Sequence, residues 1–192
     1  GPRGGAAADL SAVTSAVIDQ RAFERHVAAI ARAHATDGLQ VVAGGTTDDS
    51  VGWFVRPTIV LADDPADEMF RTEYFGPILV VHVYDDARPG AFEDVVRQAE
   101  SAAPYALTGS VLATDRAAIA WASEHLRFAA GNFYVNDKPT GAVVGQQPFG
   151  GGRASGTNDK AGSMLNLLRW TSPRSIKETL VPPTKHGYPH QR

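Results

Sequence analysis

The chain contains no cysteine. Disulfides and thiolate-bound zinc are therefore excluded, and so is any reaction in which this polypeptide supplies a thiol nucleophile. Positive charge is not in excess either. Lys and Arg number 18 against 21 Asp and Glu, for a net charge of −3, and the basic residues are scattered, which argues against a nucleic-acid partner. No apolar run approaches the ~20 residues of a membrane-spanning helix, so no membrane partner is expected. The opening GPRGGAAADL lacks the charged and apolar regions of a signal peptide. Residues 1–14 read as a linker or a cut end, and a cytoplasmic location is the expectation. Of the six histidines only His186 and His190 lie close together, in a proline-interrupted tail over 182–192, so no metal site is expected.

What is present suits a soluble α/β chain, with 43% hydrophobic and 20% charged residues. Phe23, Val27, Ile30 and His34 fall on one face of a helical period, and Gly38 is placed to end that helix. LQVVAGG reads as a short strand, and WFVRPTIVLADD as an extended segment in which Pro57 marks an edge or a bend. PILVVHVYDD is apolar enough for a strand covered on both faces. AFEDVVRQAESA and DRAAIAWASEHLRF read as helices, the second capped by Thr114 or Asp115, alternating with strands TGSVLAT and GNFYVND. Such alternation predicts crossover units and a mostly parallel sheet with flanking helices. A short helix near Met164 to Leu168 and a final strand, RWTSPRSIKETLV, close the chain. The doublets Asp48–Asp49, Asp63–Asp64 and Asp85–Asp86 suit solvated turns, and Trp53, Trp121 and Trp170 suit core or rim positions.

Residues 145–162, GQQPFGGGRASGTNDKAG, hold six glycines. A phosphate cradle is the first hypothesis, and spacing rejects it. From Gly150 the dinucleotide pattern needs a glycine where Ser155 stands, and from Gly151 it needs one at Arg153. Gly151 and Gly156 have P-loop separation, but Thr157 occupies the lysine position. At 73–77, EYFGP sets a carboxylate and an aromatic ring two residues apart on one side of an extended segment, ahead of a rigid Gly-Pro. That pair suits a ribose diol beside a heteroaromatic ring.

TEYFGP, YALTGSV at 105–111, GNFYVND at 131–137 and QQPFGGGRASGTNDK at 146–160 occur in the order seen in the aldehyde dehydrogenase superfamily. SAVID at 15–19, GQQPFGG, SGTNDKAG and LLRWTSPRSIKET resemble, more narrowly, the delta-1-pyrroline-5-carboxylate dehydrogenase family, from about Ser15 to Thr179. That family oxidises L-glutamate gamma-semialdehyde to glutamate in proline catabolism. The resemblance implies a partial catalytic domain over 15–168 and an oligomerisation strand over 169–181. It implies that Glu73 accepts hydrogen bonds from the nicotinamide ribose of NAD and that Phe75 packs on the nicotinamide. Gly141 and Ala142, in PTGAVVG, match the loop whose amides bind the substrate's carboxylate. Phe149 would cover the substrate's aliphatic part, and Asn136 matches a structural asparagine.

In the family the nucleophilic cysteine, the general base and the dinucleotide-binding domain lie upstream of the matched region. The resemblance therefore implies a C-terminal portion that needs the missing N-terminal portion and forms a homo-oligomer in the full enzyme. Alone, the chain is expected to be inactive. Two other readings stand beside this one: a portion of another aldehyde dehydrogenase, and a non-catalytic relative acting as a subunit-interaction module.

Overall fold

The Asp19 carboxylate accepts a hydrogen bond from the Ala22 amide at 2.7 Å and so starts the first helix, α1 (Gln20–Ala35). A computed structural model describes residues 4–6, 8–139, 141–143 and 145–191. After α1, Gly38 at φ 82° turns the chain into β1 (Leu39–Ala43). The short strands β2 (Thr47–Asp48) and β3 (Phe54–Val55) follow, then β4 (Thr58–Ala62) and β5 (Ile78–Val81). The second half runs α2 (Ala91–Ala102), β6 (Tyr105–Ala106), β7 (Thr108–Val111), α3 (Arg116–His125), β8 (Asn132–Val135), β9 (Gly152–Arg153) and α4 (Met164–Leu167).

The core face of α1 is Ala22, Phe23, His26, Ala29, Ile30 and Ala33. Val27 is 37% exposed and His34 is exposed, so the expected stripe holds only at Phe23 and Ile30. The remaining inward positions are small alanines and a histidine, which a search for large apolar residues passes over. Small residues let the helix lie close to the sheet. Phe23, Ile30 and Val55 form one cluster, with the Trp53 ring 5.4 Å from Phe23, and Ala33, Val60 and Met69 form another.

The larger sheet has the order β1-β4-β5, with β1 antiparallel to β4 and β4 parallel to β5. The sheet arrangement is mixed rather than mostly parallel. Among the described residues β4–β5 and β7–β8 pair in parallel, while β1–β4, β2–β3 and β6–β9 are antiparallel. Pro57 marks a break before a central strand, not an edge. Its missing amide ends β3, and the Thr58 amide then takes the Pro77 carbonyl at 2.8 Å. β5 lies at the sheet's edge with Leu79 57% exposed, so its apolar run is not covered on both faces.

In the second half, α3 crosses between the parallel strands β7 and β8, in register from Thr108 opposite Asn132 to Val111 opposite Val135. Its N-cap is Asp115, whose carboxylate accepts the Ala117 amide at 2.9 Å. Val96, Val111 and Ala122 make the core there, with Phe92, Trp121, Leu126 and Phe133 packed against them.

α4 is capped by Ser163 and continues into a single 3-10 turn, Leu168–Trp170. The strand expected over 169–181 is absent from this structure: residues 171–179 join no sheet, and Ile176, Leu180 and Val181 are 75%, 90% and 81% exposed. A strand needs another segment's amides and carbonyls, and no described segment reaches these residues.

Candidate functional site

EYFGP is anchored on its upstream side. The Arg32 guanidinium, on α1, makes two hydrogen bonds to the Asp67 carboxylate at 3.0 and 2.8 Å and an ion pair with Glu68 at 2.9 Å. Asp67 in turn caps the 3-10 turn Glu68–Phe70 by accepting the Met69 amide at 2.8 Å. The Arg32 guanidinium holds the Asp67 carboxyl below its ordinary range, against the opposing effect of burial. The clamp thus fixes the chain at Asp67 and Glu68, six and five residues before Glu73. Downstream, the Ile78 amide donates to the Gly76 carbonyl at 2.8 Å.

Between these anchors Phe75 adopts φ 57°, a left-handed backbone rare for a bulky residue, and its side chain is 80% exposed. Glu73 and Phe75 line one open cavity of about 470 Å³ with Val17, Ile18, Ala22 and Arg25. The Val17 amide donates to the Trp53 carbonyl at 2.8 Å, which fixes that wall. SAVID therefore has a structural meaning: Val17 and Ile18 face the cavity, and Asp19 caps the helix carrying Ala22 and Arg25. No hydrogen bond or ion pair engages the Glu73 carboxylate among the described residues, so it stands free to accept hydrogen bonds from hydroxyl groups.

The glycine-rich segment is braced by its polar residues. The Asn132 carboxamide donates to the Pro148 carbonyl at 2.9 Å and accepts the Gly150 amide at 3.1 Å, and so brackets Phe149. Phe149 and Ala161 exchange backbone hydrogen bonds of 2.9 and 2.7 Å. The Lys160 ammonium donates to the Gly131 carbonyl at 2.5 Å, and the Arg153 guanidinium to the Glu100 carbonyl at 2.7 Å. Asp159 accepts from the Thr157 hydroxyl and from Arg169, and those two contacts hold its carboxyl below the ordinary range. A methyl at Gly131 would lie 1.9 Å from the Gly150 carbonyl oxygen, and one at Gly151 would lie 2.8 Å from that of Ala106. These glycines serve close packing of backbone on backbone. The charged groups of the segment staple it shut, leaving no phosphate cradle.

Gly141 and Ala142 are described, but Thr140 and Val144 of PTGAVVG lie outside the described residues. Gly141 is exposed, with no described residue within 4 Å of where a side chain would go, and neither its amide nor that of Ala142 donates to another described residue. Gly141, Ala142 and Phe149 are not among the residues lining the cavity of Glu73 and Phe75. The structure thus brings the two cofactor candidates into one cavity, whose lining does not include the three substrate candidates. Asn136, at φ 55°, accepts the Ala113 amide at 2.8 Å and donates to the Ala113 carbonyl at 2.9 Å, tying the ends of β7 and β8 together. The sequence reading missed Asn132, Arg32 and His26. Asn132 carried a signal, since a strand that opens on a polar residue beside glycine leaves that side chain free to bond a neighbouring loop.

Residues 3–176 match the aldehyde dehydrogenase family. The chain is 54% identical over 182 residues to the mitochondrial delta-1-pyrroline-5-carboxylate dehydrogenase of Dictyostelium discoideum, covering 95% of this chain and 32% of that protein. The bovine mitochondrial enzyme of the same name is 49% identical over 189 residues, 98% of this chain and 33% of the relative. Among solved structures, the Delta-pyrroline-5-carboxylate dehydrogenase of Mycobacterium tuberculosis superposes with a TM-score of 0.82 at 60% identity, covering all of this chain and 35% of that one. The same enzyme bound with NAD gives 0.79 at 58%, over 99% of this chain and 34% of that one. The chain spans about a third of the length of these relatives. The expectation of a cytoplasmic location is corrected by the Dictyostelium and bovine relatives, which are mitochondrial proteins by name. With a match extending over nearly its whole length, this chain belongs to the aldehyde dehydrogenase family.

Proposed function

We propose that this chain is the C-terminal part of an NAD-dependent dehydrogenase that oxidises L-glutamate gamma-semialdehyde to L-glutamate in proline catabolism. The observation that carries the reading is the shared cavity of Glu73 and Phe75, a free carboxylate and an outward-turned ring behind the fixed wall of Val17. These residues fit the nicotinamide riboside end of NAD, because the carboxylate accepts from a diol and the ring offers a flat apolar face. NAD supplies the hydride acceptor when bound. Glu73 then orients the ribose, and Phe75 limits where the nicotinamide can lie.

Gly141 and Ala142 contribute backbone amides to the carboxylate of the substrate's amino-acid end, where the missing side chain at Gly141 allows close approach. Phe149, bracketed by Asn132, covers the aliphatic stretch between that carboxylate and the aldehyde. The cofactor and substrate residues complete one site together with the remaining polypeptide of the full enzyme. The boundaries 15–168 for the catalytic portion, 169–181 for the oligomerisation strand and 182–192 for the tail belong to the same proposal. So does a homo-oligomer in which Ile176 and Leu180, exposed here, pair with a neighbouring subunit.

Steady-state kinetics of the full-length enzyme carrying this segment test the assignment. Glu73→Gln is expected to raise KM for NAD by about tenfold, the scale of one charge-assisted hydrogen bond, with little change in KM for the semialdehyde. Unchanged NAD kinetics would contradict the role given to Glu73.

A further inference from the structure

His26 is fully buried and is the largest of the fully buried side chains among the described residues. It lies on α1 one turn after Ala22, which lines the cavity of Glu73 and Phe75. Its Nδ1 stands 2.5 Å from the Ala22 carbonyl oxygen. A carbonyl only accepts, so Nδ1 donates to it. The other ring nitrogen, Nε2, is buried and has no hydrogen-bond partner.

The free edge of the ring faces Gly76. A methyl on that glycine would sit 1.8 Å from Nε2, 2.5 Å from Cε1 and 2.7 Å from Cδ2. Gly76 carries an ordinary negative or extended φ, so steric room, and not backbone angle, excludes a side chain there. The residue just before it is Phe75, whose left-handed backbone persists only where its surroundings hold it. Thr58 and Ile78 hold the downstream side of the turn by hydrogen bonds of 2.8 Å to the Pro77 and Gly76 carbonyls. From below, the His26 ring touches it.

The geometry points to His26 as a positioning residue for the cofactor end of the site: its ring is the floor on which the Phe75–Gly76 turn rests, and it fixes the backbone that swings Phe75 into the cavity. His26 touches no reacting atom. Its Nδ1 bond to Ala22 locks the ring, the ring sets the height of Gly76, and Gly76 sets the direction of Phe75. This inference rests on the role proposed above for Phe75.

The test is a double-mutant cycle in the full-length enzyme, read as the NAD dissociation constant by fluorescence titration, beside KM for the semialdehyde and the melting temperature. His26→Ala and Gly76→Ala are each expected to weaken NAD by about tenfold while KM for the semialdehyde stays nearly constant. In the double variant the shortened side chain leaves room for the new methyl, so NAD binds more tightly than to Gly76→Ala alone. His26→Leu keeps the bulk of the floor, folds even where the alanine variant does not, and binds NAD within about threefold of the parent enzyme. Effects that simply multiply in the double variant, or a lowered melting temperature with unchanged NAD affinity, overturn the inference. A parent enzyme that fails to bind NAD overturns the proposed function and this inference with it, whereas NAD binding with multiplying effects overturns this inference alone.

Discussion

Asn132 brackets Phe149 with a single carboxamide: its amide nitrogen donates to the Pro148 carbonyl and its oxygen accepts the Gly150 amide. One residue at the start of β8 therefore fixes both flanks of the residue proposed to cover the substrate. Asn132→Ala leaves a half-buried carbonyl and amide without partners, which costs about 1–3 kcal/mol. In the full-length enzyme it is expected to raise KM for the semialdehyde several-fold with KM for NAD unchanged. If both constants move together, or neither moves, Asn132 does not act through Phe149.

Gly131 gives a stability prediction independent of function. A methyl there would lie 1.9 Å from the Gly150 carbonyl oxygen and 2.7 Å from the Gly151 Cα, both backbone atoms that cannot rotate away. Gly131→Ala must push the glycine segment off β8 or fail to fold, a penalty of about 3 kcal/mol, at the upper end of the cost of overpacking. Gly141→Ala meets no described residue within 4 Å and is expected to leave the melting temperature unchanged while weakening substrate binding. Equal melting temperatures for the two variants would refute the packing role assigned to Gly131.

The clamp of Arg32 on Asp67 has a pH signature. Its folded-state carboxyl titrates below the unfolded value of about 3.9, so the contribution is complete above that pH and is lost as pH falls through the lower folded value. The Asp67 side chain is 13% exposed and that of Arg32 31%, which places the pair between surface and buried bridges, worth about 1–2 kcal/mol. Arg32→Met is expected to lose that amount at neutral pH in denaturant unfolding. Below pH about 4 the gap to the parent protein should narrow, because Asp67 protonates in both. A gap that is constant from neutral to acid pH would show that Arg32 acts through packing alone.

Most helices were legible in the sequence because they carry local signals. Asp19 and Asp115 act as caps, and Phe92 and Val96 in α2 and Ile119 and Ala122 in α3 hold inward positions at helical spacing. Strand partners were not legible, because pairing is a long-range property. Nothing in YA at 105–106 signals that it meets Gly152 and Arg153 across nearly fifty residues. The site shows the same division. Glu73 and Phe75 could be found because EYFGP is a short, dense motif, and family resemblance gave them roles. His26 could not, because its significance lies in Gly76, which only folding brings to it, and the polar opening of β8 marks Asn132 without revealing that it brackets Phe149. The absent strand over 169–181 is the converse case: its pattern is present in the sequence, but the edge it needs is not among the described residues.

The absence of cysteine gives the last prediction its force. Of the hydroxyls available here, none can replace a thiolate, since a serine is far less ionised at neutral pH and is activated only by an adjacent base. The cavity of Glu73 and Phe75 holds no hydroxyl: its lining is Val17, Ile18, Ala22, Arg25, Glu73 and Phe75. The purified chain is therefore expected to form no NADH from L-glutamate gamma-semialdehyde above the uncatalysed background. Co-expression with the remaining two-thirds of a relative such as the Mycobacterium tuberculosis enzyme is expected to restore NADH formation, and Glu73→Gln in this chain should then lower the restored rate at subsaturating NAD. Turnover by the chain alone would mean that the reacting group lies within these residues after all, and the division of labour between wall and nucleophile proposed here would fall.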